Sequence, residues 1–198
     1  MFFGPDGSAG FVPLGQDLMY ILTIETPMPD QKGAIEREGA AAVYRRRLEP
    51  FAGPVAEVRE LIADDDAVVL RSIENIIVPA PWHRGRIVLV GDAAHGATPH
   101  CGQGAAQAIE DGAALAACLA AGGNADPAES LRHYEQLRLP RVTRLQDMSR
   151  ANKARFHMRD GPAQEARDAE WARSADRSPD ALRWLYDYDP AQVKAVVA

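Results

Sequence analysis

Only two cysteines, Cys101 and Cys118, stand among the 198 residues, and no CxxC pair is present. That leaves no basis for a disulfide framework or a cysteine-rich zinc centre, and it fits a reducing compartment. Basic residues are outnumbered, 22 Lys and Arg against 28 Asp and Glu, for a net charge of −6. Phosphate backbones reward clustered cations, so nucleic acid is a poor partner for this chain. No apolar run approaches the ~20 residues that cross a bilayer. The opening Met1-Phe2-Phe3-Gly4-Pro5-Asp6-Gly7 has no basic start of a secretory leader and breaks at once into turn residues. The expectation is a cytoplasmic chain with no membrane partner. With 46% hydrophobic and 25% charged residues, it can bury a core as one large domain or two small ones.

Residues 2–26 alternate apolar runs with reversals at Asp6-Gly7 and Gly15-Gln16-Asp17, which predicts a small antiparallel meander. Beyond Pro27 and Pro29 the pattern turns helical, through residues 40–44 and again through residues 55–62, with Gly53-Pro54 between. Residues 68–78 return to strand composition. Residues 86–91 form a short, almost wholly apolar run, as for a strand buried on both faces of a parallel or mixed sheet. From 102 to 121 small and apolar residues recur at helical spacing until Gly122-Gly123 stops them. Asp126-Pro127-Ala128-Glu129 reads as the capped start of another helix running towards Leu139, with a kink expected at Pro140. Leu182, Trp184, Leu185 and Tyr186 form a last apolar cluster suited to a docking helix.

The chemistry concentrates between residues 91 and 111. Asp92 follows a buried apolar run, where ligands of open α/β sheets lie, and a carboxylate there can accept bonds from ligand hydroxyls. Gly102 and Gly104 remove side chains where a helix presents its free N–H groups, so a planar or anionic ligand can approach the backbone and the positive end of the dipole. Gly91, Asp92, His95, Pro99, Gly102, Gln103, Gly104, Ala105 and Ala106 are the candidate cofactor residues, and Pro99 and His100 the candidates nearest the reaction. His95 reads first as a residue that bonds the loop backbone; His100 stands evenly between a structural and a catalytic part.

The run Gly85-Arg86-Ile87-Val88-Leu89-Val90-Gly91-Asp92-Ala93-Ala94-His95, followed by Pro99, Gly102-Gln103-Gly104-Ala105 and Glu110-Asp111, resembles the second flavin motif of single-component FAD-dependent aromatic hydroxylases. The salicylate and 4-hydroxybenzoate hydroxylases belong to that family. The resemblance implies that Asp92 holds the ribityl chain, that Pro99 lies beside the isoalloxazine ring, and that residues 102–106 face the ring's N1 and C2 carbonyl. It implies FAD as cofactor, NADPH or NADH as reductant, dioxygen as co-substrate and a small aromatic compound as substrate. It also implies an α/β fold, α+β when taken as a piece. Residues 1–80 would belong to the substrate-binding sheet domain, 81–125 to the flavin-contacting strand, loop and helix, and 126–198 to C-terminal helices.

The family opens with a strand, a glycine-rich ADP-binding turn and a ribose-binding acid, and no such unit is found here. The expectation is therefore a C-terminal part whose N-terminal FAD-binding portion is missing, with self-association covering the bared strand faces. Two other readings stay open: a non-catalytic flavin-fold interaction module, and another flavoenzyme of this fold, such as a halogenase or reductase. The bland reading of residues 91–111 is an ordinary strand, loop and helix whose glycines only permit packing. His95, His100 and Cys101 could be imagined around a metal, but no supporting carboxylate shell is evident and none is expected. Arg45-Arg46-Arg47 reads as a solvated face, Asp64-Asp65-Asp66 as a loop, and Cys118 as a small core residue.

Overall fold

In a computed structural model, which describes residues 1–123, 126–173 and 179–191, the chain divides into two compact units. The first comprises residues 1–72 and 153–173, the second residues 73–152 and the described part of 174–198. Unit 1 opens with β1 (Phe2–Gly4), β2 (Gly7–Gly15) and β3 (Leu18–Glu25), followed by α1 (Gln31–Glu38), α2 (Ala40–Leu48) and α3 (Pro54–Arg59). Unit 2 holds β4 (His83–Arg84), β5 (Ile87–Val88), α4 (Asp92–His95), α5 (Gly104–Gly122) and α6 (Pro127–Phe156) up to Asn152. The helix α7 (Pro162–Arg173) belongs to unit 1 and α8 (Arg183–Tyr186) to unit 2. No helix among the described residues is long and apolar enough to cross a membrane.

The expected meander forms, antiparallel in the order β1-β2-β3, with Phe2 opposite Ala9 and Phe11 opposite Ile21. Asp6, Gln16 and Asp17 take left-handed backbone at the two reversals, where Asp and Asn-like residues are tolerated best. Helices α1 and α2 are separated by Gly39 at φ 85°, and Asp65 accepts the Ala41 N–H at 2.8 Å near the start of α2. The apolar face of this layer closes over Ala9, Ala41, Leu48, Phe51, Val55 and Ile62. The arginine triplet is not a freely solvated face: Arg45 donates to the Ile62 carbonyl, Arg46 pairs with Glu38, and Arg47 reaches Glu25 and the Thr26 carbonyl.

From residue 68 onward the structure differs from the sequence reading in three places. Residues 68–78 pair into no strand; their backbone makes isolated bonds, Ile76 N–H to Gly96 O and Val78 N–H to Ala94 O. The run 86–91 forms only β5, whose ladder partner is β4, and Ile87 is 74% exposed where burial on both faces was expected. A strand is defined by its neighbours, and these two apolar runs find a ladder partner only at Ile87 and Val88. The helix read as running towards Leu139 is longer: α6 continues through Pro140 to Phe156. Its turns are held on either side by buried Leu131, Tyr134, Val142 and Leu145, so packing overrides the lost donor of the proline. Trp82, Ala94, Ala114, Cys118, Tyr134 and Val142 form the apolar core of this unit.

Candidate cofactor site

A cleft of about 560 Å³ opens on unit 2, lined by Val90, Gly91, Asp92, Ala97, Pro99, Gly102, Gln103, Gly104, Ala105 and Ala108. Most of the candidate residues therefore meet at one place; His95, His100 and Ala106 lie outside its lining. One wall is the turn into α4. Gly91 caps that helix at φ 56° and ψ −138°, a conformation that side chains rarely adopt, and a Cβ there would come within 3.1 Å of the Ala108 Cβ. Asp92, the next residue, is exposed at the cleft edge. The opposite wall is the first turn of α5. The Gln103 side chain makes no capping bond and the first turn contains no acidic residue. The leading N–H groups of a helix have no intrahelical acceptor, so the positive end of a 19-residue helix lies at the cleft without a negative side chain of its own.

Beneath the cleft, α5 and α6 share a buried ionic cluster. Asp111 is fully buried, with Oδ2 accepting the Gly91 N–H at 2.7 Å and lying 2.7 Å from His95 Nε2. Its other oxygen accepts Arg138 Nε at 2.6 Å. Arg138, also fully buried, donates to Glu110 Oε2 at 2.6 Å and to Gln107 Oε1 at 2.8 Å. Arg141 grips both oxygens of Glu110 and donates to the Leu185 carbonyl at 2.8 Å. Burial works to raise the Asp111 carboxyl, but the bonds from His95, the Gly91 N–H and Arg138 outweigh it and hold it below the ordinary carboxylate range. Glu110 is likewise lowered, its burial outweighed by Arg141 and Arg138. Tyr134, buried beside the Asp111 charge, is pushed up and stays a neutral phenol.

The loop between the two walls is tied to α6. His100 is buried, with Nδ1 3.0 Å from Thr98 Oγ1. Ser149 donates to the Thr98 carbonyl at 2.6 Å, Asn152 to the His100 carbonyl at 3.2 Å, and Gln146 to the Ile76 and Gly96 carbonyls. Cys101 is part of this loop, and burial pushes its thiol up, which disfavours the thiolate. His95 faces Trp82 at 5.5 Å between ring centroids and bonds a carboxylate rather than loop backbone.

Sequence reading placed Glu110-Asp111 in the motif but gave it no part, and it missed Arg138, Arg141, Gln146, Ser149 and Asn152. Two adjacent acids in an otherwise Ala-rich helix were one available signal for buried countercharge. Polar residues three apart at 146, 149 and 152, all on one side of α6, were another.

Among known families, the FAD binding domain matches residues 71–149. The 3-amino-4-hydroxybenzoate 2-monooxygenase PtmB3 of Streptomyces platensis is 37% identical over 196 residues, 97% of this chain and 47% of that protein. The chain spans about half the length of the curated relatives it matches. An HpxO variant from Klebsiella pneumoniae, solved with FAD, superposes with a TM-score of 0.71 at 25% identity, over 92% of this chain and 48% of that one. A salicylate hydroxylase substrate complex shares the fold at a TM-score of 0.65 and 21% identity, over 100% of this chain and 49% of that one. Residues 71–149 thus carry the FAD binding domain match, and the chain is similar to FAD-dependent monooxygenases over about half of their length.

Proposed function

We propose that this chain is the C-terminal, flavin-contacting portion of an FAD-dependent aromatic-ring hydroxylase, and that the flavin end of FAD lies in the cleft between Asp92 and the start of α5. The observation that supports this most is the pairing of an exposed carboxylate with an uncapped helix N-terminus across one cleft. The fit is favourable. A Cβ added to Gly104 would meet nothing within 4 Å, so internal packing does not demand a glycine there, whereas close approach of a flat ligand does. Asp92 would accept a ribityl hydroxyl. The first turn of α5 would donate to the electronegative edge of the ring through groups oriented before charge develops. Pro99, a rigid apolar lining residue, would shape the ring's open face.

When bound, FAD would supply the transfer of electrons from NADPH or NADH to dioxygen, one of whose atoms enters an aromatic substrate. In this reading residues 1–80 contribute to the substrate-binding sheet domain, residues 81–125 to flavin contact and residues 126–198 to supporting helices. The ADP half of FAD is gripped by the portion of the relatives that this chain does not span. That portion would also cover the exposed side chains of Ile77 and Ile87. Titration with FAD of the protein supplied with that portion tests the reading. Asp92→Ala is expected to raise the dissociation constant about 10- to 100-fold, the loss of a charged acceptor worth about 1.5 to 3 kcal/mol. An unchanged constant would remove Asp92 from the site. Substrate-dependent consumption of reduced nicotinamide nucleotide then identifies the aromatic compound.

A further inference from the structure

We propose that Asp111 is a positioning residue for the flavin site, setting the width of the cleft through its bond to the Gly91 N–H; the proposal rests on the flavin reading above. Asp111 does not line the cleft. It stands on α5, the helix whose first turn forms one wall, while the Gly91 N–H belongs to the other wall. A single carboxylate oxygen therefore ties the two walls at 2.7 Å. The tie is made where the backbone most needs it. Gly91 is buried and holds a positive φ, and its buried N–H requires an acceptor.

The carboxylate has little freedom to move. His95 approaches Oδ2 at 2.7 Å, and Arg138 holds Oδ1 at 2.6 Å while bonded to Glu110 and Gln107. Asp92 follows Gly91 directly, so any shift of Gly91 relative to α5 moves the Asp92 carboxylate relative to the helix start. Short charge-assisted bonds on both oxygens make this a fixed distance, and small misplacements of groups around a ligand are costly. Asp111 thus acts on the ligand through Gly91 and Asp92 without touching it.

The test reads FAD affinity and the visible circular dichroism of the bound flavin, again in the protein supplied with the portion not spanned here. Removing only the carboxylate strands Arg138, so the principal variant is Asp111→Leu with Arg138→Met. Replacing both removes the Asp111–Arg138 charge pair and keeps the volume filled, while Glu110 keeps Arg141 as its partner. It is expected to fold, to bind FAD about tenfold more weakly, and to alter the dichroism because the ring sits differently. Asp111→Asn, close to isosteric, is the second variant and is expected to weaken FAD to a lesser degree. In an Asp92→Ala background the Asp111 changes should cost clearly less than in the parent, because the group they position is gone.

Full additivity with Asp92→Ala would overturn the proposal, since a general loosening of the fold adds independently. Folded Asp111 variants that bind FAD within about twofold of the parent would overturn it too. If those variants are silent while Asp92→Ala weakens FAD, only the positioning part falls. If the parent binds no FAD, the flavin reading falls and takes this proposal with it.

Discussion

Unit 1 and unit 2 bury different things. Unit 1 closes over Ala9, Ala41, Leu48, Phe51, Val55 and Ile62 and buries few polar side chains, Ser8 and Arg167 among them, while pairs such as Arg46–Glu38 and Arg159–Asp6 lie at its surface. Unit 2 has an apolar core around Trp82 and Tyr134, yet it also buries His95, His100, Gln107, Asp111, Arg138, Gln146 and Ser149. Apolar filling of similar volume often gives equal or greater stability than a buried ion pair. The polar interior of unit 2 therefore calls for a reason other than stability. Its bonds end on particular backbone atoms of the cleft wall and of the loop between the walls: the Gly91 N–H, and the carbonyls of Gly96, Thr98 and His100. An apolar core fixes how much volume is filled, whereas this network fixes where individual atoms stand.

The sharpest break of that contrast is to strand a charge in one unit and open a hole in the other. Arg138→Ala leaves Asp111 buried without its cation and is expected to cost about 4 kcal/mol, within the range for breaking a buried pair. Leu48→Ala, at a fully buried apolar position of unit 1, should cost about 3 kcal/mol through lost transfer energy and a cavity. Urea denaturation of both variants compares them. A smaller loss for Arg138→Ala than for Leu48→Ala would mean that water or relaxation rescues the Asp111 charge, and that the network is looser than its bond lengths imply.

Acid should separate the units by pH. Asp111 and Glu110 have lowered values in the folded state, their burial outweighed by His95 and Arg141 respectively and by Arg138. Their contribution is complete above the ordinary carboxylate range and is lost as pH falls through the lowered folded values, below about 4. In unit 1, His157 is lowered from 6.5, first by burial and then by the Lys153 charge. Its contribution is complete above 6.5 and is lost as pH falls from there through the lowered folded value. Hydrogen exchange followed from about pH 7 down to about pH 4 should show unit 1 weakening first through His157, while the Asp111 and Glu110 contribution to unit 2 persists. His157→Gln should flatten the early loss. If that loss is unchanged in His157→Gln, it has another origin.

Local chemistry made much of this molecule readable in advance. The meander follows from reversals at Asp6-Gly7 and Gly15-Gln16-Asp17, and α5 from an Ala-rich period stopped by glycines. Gly91, Asp92, Pro99 and Gly102 to Ala105 converge on one cleft because a short strand, turn and helix start place near neighbours in sequence near one another in space. What stayed hidden depends on partners distant in sequence. Arg138 lies 27 residues from Asp111, and a basic residue in a charged helix looks like solvent-facing surface until its acid is known. The runs at 68–78 and 86–91 have strand composition, but pairing is a property of two segments and composition describes one. The reach of α6 past Leu139 stayed hidden for the related reason that packing along the helix lies outside any local window.

The finest form of the comparison lies within α5, between its first turn and its middle. Gly104 and Gly112 are both glycines on this helix, neither at positive φ, and a Cβ on either meets nothing within 4 Å. Alanine should therefore be accepted at both. It should stabilise Gly112→Ala by about 0.5 to 1 kcal/mol through backbone entropy, and Gly104→Ala by less, because the helix end frays. Their effects on cofactor should differ. Gly112 is outside the cleft lining, and its alanine variant should bind FAD as the parent does; Gly104 lines the cleft, and its methyl would stand where a flat ring approaches the backbone. We expect Gly104→Ala to keep or slightly raise thermal stability while weakening FAD by about tenfold, near 1.4 kcal/mol. Melting curves without FAD, followed by titration with it, separate the two effects. If Gly104→Ala binds as tightly as Gly112→Ala, the start of α5 does not approach the flavin, and the empty space beside Gly104 has some other use.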